Sequence, residues 1–162
     1  MTGIESLADR LAVGEVVARL AAAQDACDWT GLRLLLADHV SLDLSRHLGV
    51  PAGEISAEDF VERARGVATG FTATHHLTAN LVVDLDADAE RASCQAHVLA
   101  YHHLRDAPDP HDAVCVMRGS WDLRLHRTGT RWLVEQLTVT RTAPLEGNTD
   151  LYTRTATGGR HS

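Results

Sequence analysis

Three polar side chains stand where chemistry could be done. Asp25 lies near the end of an alanine-rich apolar segment, His76 in the pair His75-His76 that opens a long alternating segment, and His102 in the pair His102-His103 near the end of the next. A neutral histidine is a competent base near pH 7, and a carboxylate on its other ring nitrogen fixes the tautomer and stabilises the imidazolium. Such a dyad can remove a proton next to an electron-withdrawing group, and a second histidine can then protonate a departing hydroxyl or an enolate oxygen. Asp25 falls four residues after Ala21 and five after Leu20, on or near the apolar face of its segment. An unpaired carboxylate there is costly, so it needs a partner. The plainer readings are a solvated helix-end aspartate, an exposed histidine pair and a strand-end histidine in solvent.

Alternation divides the first pair. His75 shares a face with Leu77, Leu81 and Val83, and His76 with Thr78, Asn80 and Val82. The more apolar face is therefore that of His75, unless a bulge shifts the phase. His102 follows Cys94, Ala96, Val98 and Ala100 on one face, which suits a pocket wall; His97 and His103 fall on the opposite face, toward the surface or a subunit contact.

Ten histidines in 162 residues raise the question of a metal. Zinc or iron needs three converging ligands. Asp25, His76 and His102 could form such a triad, but no H-x-x-x-H or C-x-x-C spacing supports it, and neither metal nor cofactor is expected. Cys27, Cys94 and Cys115 are odd in number and widely spaced, so they read as apolar residues in a reducing cytoplasm rather than a disulfide framework. Trp121, Trp132 and Phe71 read as core or pocket lining, and no glycine-rich phosphate loop occurs.

The elements that must position these groups change period along the chain. Residues 4–26 predict a helix, with Leu7, Leu11, Val13, Val16, Val17 and Leu20 at three- and four-residue spacings. Asp28 caps a second helix to about 38. Residues 40–44 read as a short strand and 45–55 as a loop. Ser56 opens a third helix that runs to about 69, with Gly70 at its stop. From there the period is two: strands at 72–85, 91–104, 113–126 and 131–142, joined by turns and by the two-proline loop 106–112. Helices followed by a meander indicate an α+β domain with an antiparallel sheet. One domain spans 1–145, and 146–162 is a polar tail.

Composition limits the partners. The chain is 44% hydrophobic and 23% charged, with a formal net charge of −7. An acidic chain without a basic stripe fits neither nucleic acid nor an anionic membrane surface. No apolar run approaches the roughly 20 residues of a membrane span, and no secretory signal is visible, so a cytoplasmic location is expected.

The ordered set Gln24-Asp25-x-x-Asp28-Trp29, Ala37-Asp38, Thr74-His75-His76-Leu77-x-x-Asn80, Ala100-Tyr101-His102 and Gly129-x-x-Trp132 resembles the SnoaL-like branch of the nuclear transport factor 2 superfamily over roughly residues 5–142. Within it the chain is similar to scytalone dehydratase and hexachlorocyclohexane dehydrochlorinase. The resemblance implies a strongly curved sheet wrapped by N-terminal helices into a cone-shaped pocket. It selects His76 over His75 as base, pairs it with Asp25, and matches His102 to a second pocket histidine, expected on the opposite wall. The pocket walls expected are Gln24, Leu44, Trp29, Val98 and Trp121. The chain departs from its relatives in three places: Gln24 and Leu44 stand where the dehydratase has tyrosines, Leu20 where the dehydrochlorinase has a lysine, and Leu44 where ketosteroid isomerase has its aspartate. The function implied is a cofactor-independent lyase or isomerase, a dehydratase, cyclase or related acid/base step on a small, mostly apolar metabolite. The alternative is a non-catalytic binding or interaction domain of the same fold. His75, Leu77, Leu81 and Tyr101 leave apolar surface on the sheet, from which a homodimer or homotrimer is expected.

Overall fold

The computed structural model describes residues 3–104, 107 and 113–150. Most of the two-proline loop and residues 151–162 lie outside them. The order is α1 (Gly3–Asp25), α2 (Trp29–Leu34), β1 (Leu36–Leu44), α3 (Ser45–Leu48), β2 (Val50–Ser56), α4 (Ala57–Ala68), β3 (Ala73–Leu85), β4 (Arg91–His103), β5 (Val114–Thr128), β6 (Arg131–Arg141) and β7 (Glu146–Gly147).

The apolar spacing in α1 buries Val13, Val17, Leu20 and Ala21 and packs the helix chiefly on β3. Its first turns leave Ile4, Leu7 and Leu11 exposed. Asp28 caps α2 by accepting from the Gly31 N–H at 2.8 Å, and Ser56 caps α4 by accepting from the Asp59 N–H at 3.0 Å. Phe60 and Val61 seat α4 in the core. Fully buried Leu20, Leu32, Leu36, Leu123 and Leu125 dominate that core, each stabilising by roughly 1.5–3 kcal/mol relative to exposure.

The strands run in the order β2-β1-β6-β5-β4-β3, with β7 pairing β5. The four long strands pair antiparallel, as the meander predicts. The sheet as a whole is mixed, because β1 lies parallel to β6. Two further corrections concern 36–56. The second helix ends at Leu34 and β1 begins at Leu36, earlier than expected. The expected loop is instead a helical turn followed by an edge strand. Pro51 and Gly53 read as loop residues, but an edge strand tolerates both. The segment expected as a polar tail begins with β7, which pairs with Cys115 and Val116. Register breaks in the β1/β2, β3/β4 and β5/β6 pairs bend the sheet.

Candidate functional site

Asp25 owes its position to the way α1 stops. Cys27 takes a left-handed backbone (φ 54°). Its N–H bonds the Gln24 carbonyl at 3.2 Å, and the Asp28 N–H reaches back to Ala23 at 2.8 Å. This pair of bonds is a Schellman stop. It leaves Asp25 in the last turn, where the helix dipole disfavours a carboxylate. Three donors offset that cost. The Thr74 hydroxyl donates to Oδ1 at 2.9 Å, the His76 backbone N–H to Oδ2 at 2.7 Å, and His76 Nδ1 lies 2.6 Å from Oδ1. Burial pushes the Asp25 pKa up, but the bonds and charge of His76, with Thr74, outweigh it and hold it below the ordinary carboxylate value.

The conflict between His75 and His76 is settled by a bulge. Asn80 is left-handed (φ 53°), and Asn80 and Leu81 together face only Ala96 across the β3/β4 pair. Before the bulge the inward residues are Thr74, His76 and Thr78; after it they are Val83 and Leu85. Strict alternation fails here because the phase changes within the strand. The His76 side chain is 12% exposed, whereas that of His75 is 66% exposed with its Nδ1 3.8 Å from Asp25 Oδ2.

His102 was expected on the wall opposite the dyad. It stands beside it instead, since its register partner on β3 is Thr74. Its ring lies 5.8 Å from that of His76, edge to face, and 4.8 Å from Phe71; the Trp121 ring is also 5.8 Å from His76. Burial, then the nearby His76 charge, lower the His102 pKa to about 4 against a hydrogen bond with the Cys115 backbone.

His76, His102 and Trp121 open onto a cavity of about 140 Å³, which Asp25 does not line; it is roughly the size of an engineered pocket that holds benzene. Gln24, Leu44 and Trp121 line it; Trp29 and Val98 do not, although both were expected to. Trp29 packs at the core's edge with Arg65 over its ring, and Val98 is buried in the core beside its β3 partner Thr78. The walls are mostly apolar, from Leu42, Phe60, Met117, Leu137 and Val139. Among the described residues no three His, Cys, Asp or Glu side chains converge as a metal site, and no helix is long and apolar enough to cross a membrane.

Two titratable wall residues escaped the sequence reading. His47 sat in the expected loop, yet it is buried on α3 and lines the cavity. The signal was Leu44-x-x-His47-Leu48 ahead of Gly49, one helical turn with a left-handed stop. Arg63 reads from sequence as an ordinary surface arginine of α4, but it reaches the cavity. Burial, then the charge of Arg141, lower the His47 pKa to about 4.

His47 and His102 thus have folded pKa values below the ordinary 6.5. The unfolded chain binds more protons between pH 6.5 and 4, so their contribution to stability is complete above that window and lost as pH falls through it. The expected slope is up to about 1.4 kcal/mol per pH unit for each histidine. Urea unfolding at pH 7.5, 6 and 5 should show the decline, and the double variant His47→Leu, His102→Leu should flatten it. Equal slopes in both proteins would contradict this assignment.

Comparison with known proteins gives a consistent family. The SnoaL-like domain family matches residues 5–138. Among solved structures, the Kfla4162 protein of Kribbella flavida is 27% identical at a TM-score of 0.81, covering 91% of this chain and 99% of its own. A Novosphingobium aromaticivorans protein provisionally assigned as a scytalone dehydratase is 14% identical at a TM-score of 0.75, covering 88% and 89%. A hexachlorocyclohexane dehydrochlorinase from Novosphingobium barchaimii is 14% identical at a TM-score of 0.72, covering 88% and 92%. The last two likenesses show the fold alone. No curated protein matches the chain.

Proposed function

The chain belongs to the SnoaL-like domain family, and on that premise we propose that it is a cofactor-independent lyase or isomerase in which His76 is the base and Asp25 its orienting partner. The observation that carries this reading is the 2.6 Å contact between His76 Nδ1 and Asp25 Oδ1 at the wall of a mostly apolar cavity that, among the described residues, no carboxylate lines. With Nδ1 held by Asp25, Nε2 is the nitrogen that meets a substrate. It takes a proton from a carbon beside an electron-withdrawing group, and Asp25 stabilises the imidazolium. In an elimination the C–H electron pair becomes the new double bond as hydroxide or halide leaves. In an isomerisation it is held as an enolate until His76 returns the proton to another carbon.

His102 takes a different part from the proton donor expected of it. Its depressed pKa keeps the ring neutral, with a single N–H. If that N–H donates to the Cys115 carbonyl, the other nitrogen is an acceptor. Such a ring orients a substrate hydroxyl rather than protonating a leaving group. Gln24 on the cavity wall donates one amide N–H to the Leu20 carbonyl at 3.1 Å, which leaves its second N–H and its carbonyl for a ligand.

The test is a turnover screen in D2O with ring-sized carbonyl and β-hydroxycarbonyl compounds, read by mass spectrometry for deuterium uptake or loss of water. Turnover that depends on His76 is expected. Compounds that bind in the cavity but never turn over would support the non-catalytic reading instead. Fold neighbours described as a dehydratase and a dehydrochlorinase fit elimination as the first chemistry to screen.

We also propose a homodimer or homotrimer packed through the outer face of the sheet, where Leu77 is 47% exposed, Val82 57% and Tyr101 39%. Light scattering at micromolar concentration should give two or three chains per particle, and Leu77→Lys should reduce it. A wild-type monomer would contradict this.

A further inference from the structure

Among the described residues one permanent cation lines the cavity. Arg63 is the sole arginine among its lining residues, and the chain has no lysine. It comes from α4, whose Phe60, Ala64, Val67 and Ala68 form the same wall at helical spacing.

The acidic side chains near it along the helix are otherwise used or out of reach. Glu58 pairs with Arg33 at 2.7 Å and Glu62 with Arg65 at 3.3 Å. Asp59 stands one turn before Arg63, at the spacing of a helix ion pair, but no such pair forms. Elsewhere Arg19, Arg118 and Arg127 each meet a carboxylate, while Arg10, Arg46, Arg91, Arg124, Arg131 and Arg141 have no ion pair among the described residues, so what sets Arg63 apart is its place on the cavity wall. Among the described residues Arg63 makes no ion pair.

Among the described residues no carboxylate lines the cavity to neutralise it. The Asp25 charge lies behind His76 and is already met by three donors. A ligand that covered the mouth would strip water from an unpaired guanidinium, which is costly unless the ligand supplies an anion. The rest of the molecule works against anions, since the net charge is −7. A cation on the wall, with the charge of Arg141 acting on His47 from outside it, therefore favours an anionic group on what enters.

We infer that Arg63 is a specificity residue that pairs with a carboxylate on the substrate, so that the pocket takes a ring-sized carboxylic acid with its apolar body against Leu42, Met117 and Leu137 and its acidic group at the mouth. This rests on the reading of the cavity as the substrate site. A carboxylate suits a single guanidinium because the two make a planar, two-bonded pair. A phosphate dianion would want further donors, and among the described residues no other permanently charged donor lines the cavity.

Titration of 15N-labelled protein tests this with benzoate and its neutral analogue benzamide, using the Trp121 indole and His76 ring signals as reporters. Benzoate should move both signals and bind about tenfold more tightly than benzamide, the ratio expected for a charge-assisted pair. Arg63→Gln should abolish that preference, and Arg63→Lys should keep part of it. Equal affinity in the wild type, or a preference that survives in Arg63→Gln, would overturn the inference and leave the pocket reading standing. If neither compound moves the Trp121 signal, the pocket reading fails and takes the inference with it. Phenyl phosphate binding more tightly than benzoate with the same dependence on Arg63 would overturn the choice of carboxylate.

Discussion

The His76→Ala protein should lose turnover by about 10²-fold or more on any compound that the wild type converts, the loss expected for a general base. KM should change little, because the removed ring acts on the proton in flight rather than on the ground-state complex. Folding should survive, since the His76 backbone N–H still bonds Asp25 and the β3 register does not involve the ring. Added imidazole should restore part of the rate if the cavity admits it beside the substrate. A folded His76→Ala protein with full activity would remove His76 from the reaction.

Asp25 carries the second large effect, and it is both catalytic and structural. Asp25→Asn keeps the shape but loses the charge that stabilises the imidazolium, and an amide can offer its NH2 to the ring and select the wrong tautomer. Turnover should fall by about 10²-fold. Asp25→Ala should also destabilise the fold by about 1–3 kcal/mol, because the Thr74 hydroxyl and the His76 N–H lose their acceptor. The pH dependence has a definite sign. The folded pKa of Asp25 lies below 3.8, so its contribution to stability is complete above that value and lost as pH falls further, toward the folded pKa. This window lies below that of His47 and His102, so the two should separate in denaturation curves of wild type and Asp25→Asn. An Asp25→Asn protein with the wild-type rate would contradict the dyad.

Much of the fold was legible because its signals are local. Apolar spacing marks α1, Asp28 and Ser56 mark the starts of α2 and α4, and period-two alternation marks the four long strands. The parallel contact of β1 with β6 was not legible, because nothing within either strand names a partner some 95 residues away. β2 was hidden by Pro51 and Gly53, whose local preferences read as loop although an edge strand accepts them.

The site was legible in part for similar reasons. Asp25 and His76 were paired by resemblance, against the alternation, and the structure explains the conflict. Asn80 in a left-handed backbone shifts the phase of β3 by one residue, and asparagine is among the few non-glycine residues that accept this conformation readily. His102 was misplaced because its wall depends on the β3/β4 register, which the turn and the bulge set together. His47 and Arg63 were missed because each looks ordinary in its own segment and becomes a cavity residue only through packing.

The central claim is that Asp25 holds the His76 ring so that Nε2 meets the substrate, and the 15N chemical shifts of that ring near neutral pH test it most directly. The account predicts the Nδ1–H tautomer in the wild type, with Nε2 showing the shift of an unprotonated nitrogen, and loss of that single-tautomer signature in Asp25→Asn. A wild-type ring protonated on Nε2, or one unchanged by Asp25→Asn, would contradict it.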